Sequence, residues 1–105
     1  MQWGDVRWYR FKKPDKQRPV IILTRNSAIE FLGEVTVAPV TSIIRDMPTE
    51  VVLSTKDGMP RSCAVNLDHL QTVSRGKIGA RLTTLKPERM EAIRKALLFA
   101  LGFNR

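Results

Sequence analysis

Short hydrophobic runs separated by polar, turn-forming segments make up most of the chain. Runs of this length that are rich in Val, Ile, Thr and aromatic residues are typical of β-strands. The run at 20–24 is β-branched and apolar, which predicts a buried central strand. Pro39 cannot donate a ladder hydrogen bond, so we expect it at an edge, a bulge or a strand end. The pattern predicts strands at 5–11, 20–24, 34–40, 49–54, 62–65, 70–73 and 78–82.

The end of the chain has a different periodicity. Hydrophobic residues recur there at spacings of three and four, at Met90, Ile93, Leu97 and Leu101. This spacing predicts an amphipathic helix, with Pro87 suited to its first position and Gly102 to its C-terminal stop. Many short strands followed by one helix predict a mainly β fold with a C-terminal helix, in which a small, strongly bent antiparallel barrel carries the helix. We expect a single domain over residues 1–105.

The charge balance points to a polyanionic partner. The 105 residues include 18 basic and 10 acidic side chains, a net charge of +8. The positive excess lies in residues 1–25 and 58–105, and the middle of the chain is acidic. A small, strongly basic domain favours nucleic acid as its partner.

The sequence also predicts where the protein works. Cys63 is the one cysteine and cannot form an internal disulfide, which is typical of a reducing compartment. As a small apolar side chain, it is expected in the core. No apolar run approaches the ~18 residues that a membrane span needs, and the N-terminus lacks the apolar segment of a signal peptide. We therefore predict a cytoplasmic protein that does not bind membranes.

The side chains available for catalysis exclude several enzyme classes. One His and one Cys cannot form a metal site, so we expect no metal and no other cofactor. The chain also lacks a glycine-rich phosphate loop and a G-x-S-x-G element. RNA cleavage remains possible, because RNA supplies its own nucleophile, the 2′-hydroxyl. For that reaction a guanidinium matches phosphate geometry, and a threonine hydroxyl can donate to a non-bridging oxygen.

Several segments together resemble a known family. They are Gly4-Asp5-Val6, Arg18-Pro19-Val20-Ile21-Ile22-Leu23, Ala38-Pro39-Val40-Thr41-Ser42, Ala64-Val65-Asn66-Leu67-Asp68-His69-Leu70-Gln71-Thr72-Val73 and the closing helix. In order and spacing they resemble the MazF/PemK family of type II toxin–antitoxin ribonucleases, over nearly the whole chain.

The resemblance implies both a fold and an activity. The fold is an SH3-like antiparallel barrel of the CcdB/PemK type with a C-terminal helix, assembled as a homodimer. The activity is metal-independent cleavage of single-stranded RNA (mRNA, tRNA or rRNA) at a short sequence, which leaves 2′,3′-cyclic phosphate and 5′-hydroxyl ends. A cognate MazE-like antitoxin would bind the toxin and cover its RNA groove.

The resemblance also assigns residues. The catalytic arginine of the family falls on Arg18, before a proline, and the catalytic threonine falls on Thr41. Further residues are expected to bind the RNA: Ser42, His69, Lys12, Lys13, Lys16, Arg25 and Asn26. No residue is expected to bind a metal.

The sequence departs from the family pattern in its first loop. Residues 12–17 form a shorter loop than many relatives have, without their Gly-Ser-Glu element. The identity of the general base therefore stays open between Asp15 and His69. His69 stands where relatives usually have Gln or Asn, which favours RNA recognition over proton transfer. Trp8 is expected to pack in the core or a dimer interface rather than to stack on a base.

Two other functions remain alternatives. A basic SH3-like module can bind nucleic acid or protein without catalysis, and salt-dependent RNA binding without cleavage would favour that function. A toxin of the same fold can act on gyrase, as CcdB relatives do. The Arg-Pro and Pro-Val-Thr-Ser elements favour the ribonuclease branch.

Overall fold

A computed structural model describes residues 1–11 and 17–103 of the chain. The strands are β1 (Asp5–Arg10), β2 (Gln17–Ile22), β3 (Glu34–Thr41), β4 (Glu50–Leu53), β5 (Cys63–Asn66), β6 (Gln71–Ser74) and β7 (Ile78–Thr84). The helices are α1 (Asn26–Ile29) and α2 (Pro87–Ala100), and 3₁₀ turns occur at Thr55–Asp57, Leu67–His69 and Arg75–Lys77. Each predicted strand is present, with boundaries within three residues of those predicted.

The strands pair antiparallel in the order β4-β5-β3-β2-β1-β7, and β6 pairs with β3 beside this path. The predicted mainly β, antiparallel fold with a C-terminal helix is thus confirmed. The sheet is not a closed barrel, because the terminal strands β4 and β7 do not pair with each other in the described part of the chain. The curved sheet therefore approximates an SH3-like barrel that stays open between those two edges.

Strand β3 organises this sheet. On one side it pairs with β2, where Val20 lies opposite Pro39. On the other side it pairs first with β6, up to Val37, and then with β5, from Val40. Pro39 is therefore neither at an edge nor at the strand end. It lies inside β3, at the point where the partner strand opposite β2 changes from β6 to β5. The missing N–H is tolerated there because no ladder hydrogen bond is required on the side that faces β6 and β5.

The core consists of two apolar clusters on the two faces of the sheet. In β2, Ile21 belongs to the cluster that packs against α2, whereas Val20 and Ile22 belong to the cluster on the opposite face. Successive strand residues point to opposite faces, so β2 is buried on both sides. This burial explains the uninterrupted apolar run and confirms the predicted central strand.

Helix α2 has the predicted ends. Pro87 occupies its first turn, and Lys86 at the N-cap makes no side-chain capping bond. At the other end Gly102 has φ +85°, its N–H donates to the Phe99 carbonyl (3.1 Å), and Phe103 N–H donates to the Leu98 carbonyl (2.8 Å). These are the two bonds of a Schellman cap.

The apolar stripe of α2 ends earlier than predicted. Met90, Ile93 and Ala96 are buried, but Leu101 is 52% exposed. Leu101 is the C-cap residue, so the chain leaves the helical path at that position. Neither helix in the described residues is long and apolar enough to cross a membrane.

A buried carboxylate fastens β1 to β7. Asp5 is 2% exposed and accepts hydrogen bonds from the Thr84 hydroxyl (2.7 Å), Gln2 N–H (3.0 Å) and the Arg7 guanidinium (3.2 Å). Burial by itself raises the pKa of Asp5, but the bonds from Thr84, Gln2 and Arg7 and the charge of Arg7 together lower that pKa below its usual value. The folded state therefore favours the ionised form.

We predict that Asp5→Asn lowers the free energy of unfolding at pH 7 by about 2 kcal/mol, because charge-assisted hydrogen bonds are lost. Since the folded pKa is depressed, the stabilisation is present above the unfolded value of about 3.9 and is lost as pH falls through the folded value. Urea unfolding at pH 7 and at about pH 3 measures the difference, which should shrink in acid.

Asp46→Asn is the matched control. Asp46 is an exposed carboxylate at φ 56°, a conformation that Asn adopts readily. Equal stability of the two variants at pH 7 would contradict the role given to Asp5.

Candidate active site

A cleft of about 610 Å³ opens where β2 begins and β3 ends. The residues that line it are Trp8, Gln17, Arg18, Pro19, Val40, Thr41, Ser42, Ile43, Met59, Pro60, Arg61 and Cys63. More than half of them are apolar or aromatic, and Trp8, which we expected in the core or a dimer interface, is only half-buried and lines the cleft. The cleft thus offers an apolar surface wide enough for a nucleobase beside several polar groups.

The sheet brings Arg18 and Thr41 together. Strand β2 begins three residues earlier than predicted, so Arg18 lies within it and pairs with Tyr9 of β1. Strands β2 and β3 pair with Val20 opposite Pro39. Continued for two more residues along each strand, the same register puts Arg18 opposite Thr41. Side chains in such positions share a face, with Cβ atoms about 5 Å apart. Two residues that are distant in sequence therefore line the same cleft.

The Thr41 hydroxyl has a donor to offer. Its oxygen accepts the N–H of Ile43 at 3.1 Å, as in an ordinary threonine turn. Its own O–H finds no acceptor within residues 1–11 and 17–103, and Ser42 beside it is exposed. Thr41 can therefore donate to an oxygen of a ligand while the backbone fixes its position.

The electrostatic character of the cleft is positive. No Asp or Glu is among its described lining residues, which include both Arg18 and Arg61. Neither guanidinium forms an ion pair with a described carboxylate. Arg61 was not among the residues predicted to bind RNA, because nothing in its local sequence distinguishes it from the other basic residues.

Cys63 forms part of the apolar wall. It is buried, as predicted. Burial raises the pKa of its thiol, the charge of Asp57 adds to that rise, and the charge of Arg61 opposes it. The thiol is therefore held in its neutral form.

Other residues with a predicted role in RNA binding lie elsewhere. Arg25 and Asn26 follow the far end of β2. There the Arg25 side chain donates to the Ser27 hydroxyl (3.1 Å), and Asn26 Oδ1 accepts the Trp3 N–H (2.7 Å). The five residues from Arg18 to Ile22, four steps along the strand, already span about 13 Å, so one nucleotide does not bridge both ends. Lys12, Lys13 and Lys16, like Asp15, lie outside the described residues.

His69 is not part of the cleft lining. It ends the 3₁₀ turn after β5, where its Nδ1 lies 3.4 Å from Nδ2 of Asn66. The turn is held by Asp68, whose N–H donates to Asn66 Oδ1 and whose carboxylate accepts the Thr49 hydroxyl. An RNA contact of His69 stays a prediction. The part of the chain that is described contains no group of three His, Cys, Asp or Glu side chains able to hold a metal ion.

The wall that carries Met59, Pro60 and Arg61 is anchored by Asp57. Its carboxylate accepts Ser54 N–H (2.9 Å) and the Arg89 side chain of α2 (2.8 Å). Burial raises the pKa of Asp57, but these bonds and the charges of Arg89 and Lys86 lower it overall. The next residue, Gly58, has φ +90°. The anchor therefore joins the cleft wall to the C-terminal helix.

We predict that Gly58→Ala destabilises the fold by about 2 kcal/mol or more, because an L-residue is strained at this φ. A Cβ would also lie 2.5 Å from the Thr83 hydroxyl, which donates to the Asp57 carbonyl and cannot rotate away without breaking that bond. Urea unfolding measures the loss. Gly33→Ala is the control, since a Cβ at Gly33 meets nothing within 4 Å. Similar stability of the two variants would disprove the anchoring role.

Comparisons with known proteins agree with this architecture. The family model described as "PemK-like, MazF-like toxin of type II toxin-antitoxin system" matches residues 2–101. A Mycobacterium tuberculosis protein named "Probable endoribonuclease MazF5" is 41% identical over 103 residues, which are 97% of this chain and 94% of that protein.

Solved structures give the same relationship. The Mycobacterium tuberculosis toxin MazF-mt6 superposes with a TM-score of 0.87 at 30% identity, covering 96% of this chain and 99% of that one. An endoribonuclease in complex with its cognate antitoxin, from a mycobacterial species, has a TM-score of 0.86 at 27% identity, covering 100% and 98% of the two chains. The chain therefore belongs to the family of PemK-like, MazF-like toxins of type II toxin–antitoxin systems.

Proposed function

We propose that this toxin is a metal-independent endoribonuclease that cleaves single-stranded RNA at a short sequence. The observation that carries the proposal is that Arg18 and Thr41 line one cleft whose described lining contains no carboxylate. The relatives named endoribonucleases support the same reaction class. The apolar part of the cleft, with Trp8 and Met59, suits the bases that flank the cut.

The chemistry follows from these groups. The 2′-hydroxyl oxygen of the RNA attacks the adjacent phosphorus, the bond from phosphorus to the 5′-oxygen breaks, and the departing 5′-oxygen takes a proton from water. The products are a 2′,3′-cyclic phosphate and a 5′-hydroxyl. Negative charge accumulates on the non-bridging oxygens during this step. The Arg18 guanidinium and the Thr41 hydroxyl stabilise that charge by hydrogen bonds that become stronger in the transition state.

The 2′-hydroxyl proton needs an acceptor. Asp15 stands two positions before Gln17, which lines the cleft. His69 is not among the lining residues, so we propose Asp15 as the acceptor. A guanidinium stays protonated at neutral pH and is poorly suited to that task.

The proposed partners and location follow the family. A relative forms a complex with its cognate antitoxin, and we propose that a MazE-like antitoxin likewise covers the cleft of this chain. We further propose that the toxin is a homodimer of single-domain chains and acts in the cytoplasm, where its RNA substrates are. Lys12, Lys13 and Lys16 carry positive charge beside Asp15 in the sequence and are proposed to contact RNA phosphates.

We predict that Arg18→Ala lowers kcat/KM for RNA cleavage by at least about 10²-fold, and Thr41→Val by about 10²-fold, because each removes a donor to the transition-state charge. Purified protein is incubated with a long mixed-sequence RNA in excess EDTA, and the fragment ends are mapped.

Arg94→Ala serves as the charge-matched control, since Arg94 pairs with Glu91 on the exposed side of α2. Undiminished cleavage by the Arg18 variant would refute its assignment. Intact RNA that is nevertheless retarded on a gel in a salt-dependent way would favour the non-catalytic module. Gyrase inhibition without RNA binding would favour the CcdB-like alternative.

The two candidate bases can be separated by pH. We predict that His69→Gln retains the pH–rate profile of cleavage and loses less than about tenfold in rate. Asp15→Asn should instead abolish the acidic limb of the profile. A flattened profile in the His69 variant would transfer the base role to His69.

A further inference from the structure

We propose that Arg61 binds a phosphate of the RNA next to the scissile one, and thereby positions the substrate against Arg18 and Thr41. The inference deepens the proposed function and rests on it for the identity of the ligand. It assigns a task to a residue that neither the sequence pattern nor the resemblance singled out.

Most of the arginine side chains are engaged in hydrogen bonds within the protein. Six of them donate side-chain hydrogen bonds to other protein groups: Arg7, Arg25, Arg75, Arg81, Arg89 and Arg94. Arg18, Arg45 and Arg61 make no such bond within residues 1–11 and 17–103, and of these three Arg18 and Arg61 line the cleft. A guanidinium presents five donors, so two of them in one cleft without acceptors suit an anionic ligand.

The strand order puts Arg18 and Arg61 on opposite sides of β3. Strand β3 lies between β2 and β5, and Thr41 pairs with Ala64 of β5. Arg18 is on the β2 side of Thr41, and Arg61 precedes β5 on the other side. Arg61 stands three residues before Ala64, so it lies beyond the end of β3, and it lines the same cleft as Arg18 and Thr41. A chain of phosphates that runs across the end of β3 would meet them in succession.

The carboxylate of Asp57 does not neutralise Arg61. Asp57 is close enough to affect Cys63, as Arg61 also is. Both Asp57 carboxylate oxygens are already occupied, Oδ1 by Arg89 and Oδ2 by Ser54 N–H. Arg61 makes no ion pair with Asp57 or with any other described carboxylate. Like charges held together without a counter-ion repel each other, and a bound polyanion removes that repulsion.

The anchored loop defines the role of Arg61. The Asp57 anchor and Gly58 fix the backbone that leads to Arg61 before the substrate arrives. A flanking phosphate keeps its charge unchanged during the reaction, so an interaction with it stabilises the bound substrate and the transition state equally. Such an interaction affects KM and leaves kcat nearly unchanged.

The test measures binding and cleavage separately. A mixed-sequence oligoribonucleotide with 2′-O-methyl groups cannot undergo 2′-hydroxyl attack, so its dissociation constant is measured over a range of salt concentrations without cleavage. We expect Arg61→Ala to weaken binding about tenfold and to reduce the slope of log K against log salt by about 0.7, the value of one phosphate contact on a single strand. Arg61→Lys should restore most of the binding, and Arg94→Ala should match the wild type.

Steady-state cleavage completes the test. Arg61→Ala should raise KM about tenfold with kcat and the cut sequence unchanged. Binding and salt slope equal to those of Arg94→Ala would overturn the proposal. So would a loss confined to kcat, which would mean that Arg61 acts on the transition state, or a changed cut sequence with an unaltered slope, which would mean that it reads a base.

The two proposals fail in different ways. If the wild type does not cut RNA but the Arg61 variant loses one phosphate contact in the binding measurement, the ribonuclease proposal is wrong and the phosphate site stands. If the wild type cuts RNA and the variant keeps its salt slope, only the role of Arg61 is wrong. Urea unfolding of both alanine variants excludes a general loss of folding.

Discussion

The change of partner along one side of β3 is the constraint on which the molecule depends. Eight residues of one strand pair with β2 on one side and with β6 and then β5 on the other. This arrangement curves the sheet so that each of its faces covers an apolar cluster. It also ends β3 beside the start of β2, so Thr41 comes opposite Arg18. The site is thus a product of strand register rather than of any local motif.

The positive charge of the cleft contrasts with the treatment of charge elsewhere. Asp5 and Asp57 are surrounded by donors that lower their pKa values, and each ties two elements together. Arg18 and Arg61 receive no such compensation from the described residues. Hydrogen bonds to charged groups are thus satisfied within the fold at the two aspartates and left open at the two arginines of the cleft, where we propose that a ligand completes them.

Much of the fold was predictable because strand periodicity and helix-end residues are local signals. The uninterrupted run of β2 and the Pro87 and Gly102 ends of α2 are examples. The single-turn helix α1 was not predicted, since four residues are too few to show a period. Arg18 and Thr41 were found through the family resemblance. Arg61 was not predicted, because two features of the folded chain distinguish it: its guanidinium has no hydrogen-bond acceptor among the described residues, and it precedes β5, the strand beside β3. Sequence patterns record neither feature.

The Asp57–Arg89 pair makes the cleft and the C-terminal helix energetically dependent on each other. Arg89 belongs to the first turns of α2, and Asp57 immediately precedes the loop that ends in Arg61. A ligand that binds beside this anchored loop also favours the state in which the Asp57–Arg89 pair is intact, and by thermodynamic reciprocity a molecule that breaks the pair weakens ligand binding to the same degree. A molecule that contacts only the start of α2 could therefore reduce ligand binding without occupying the cleft.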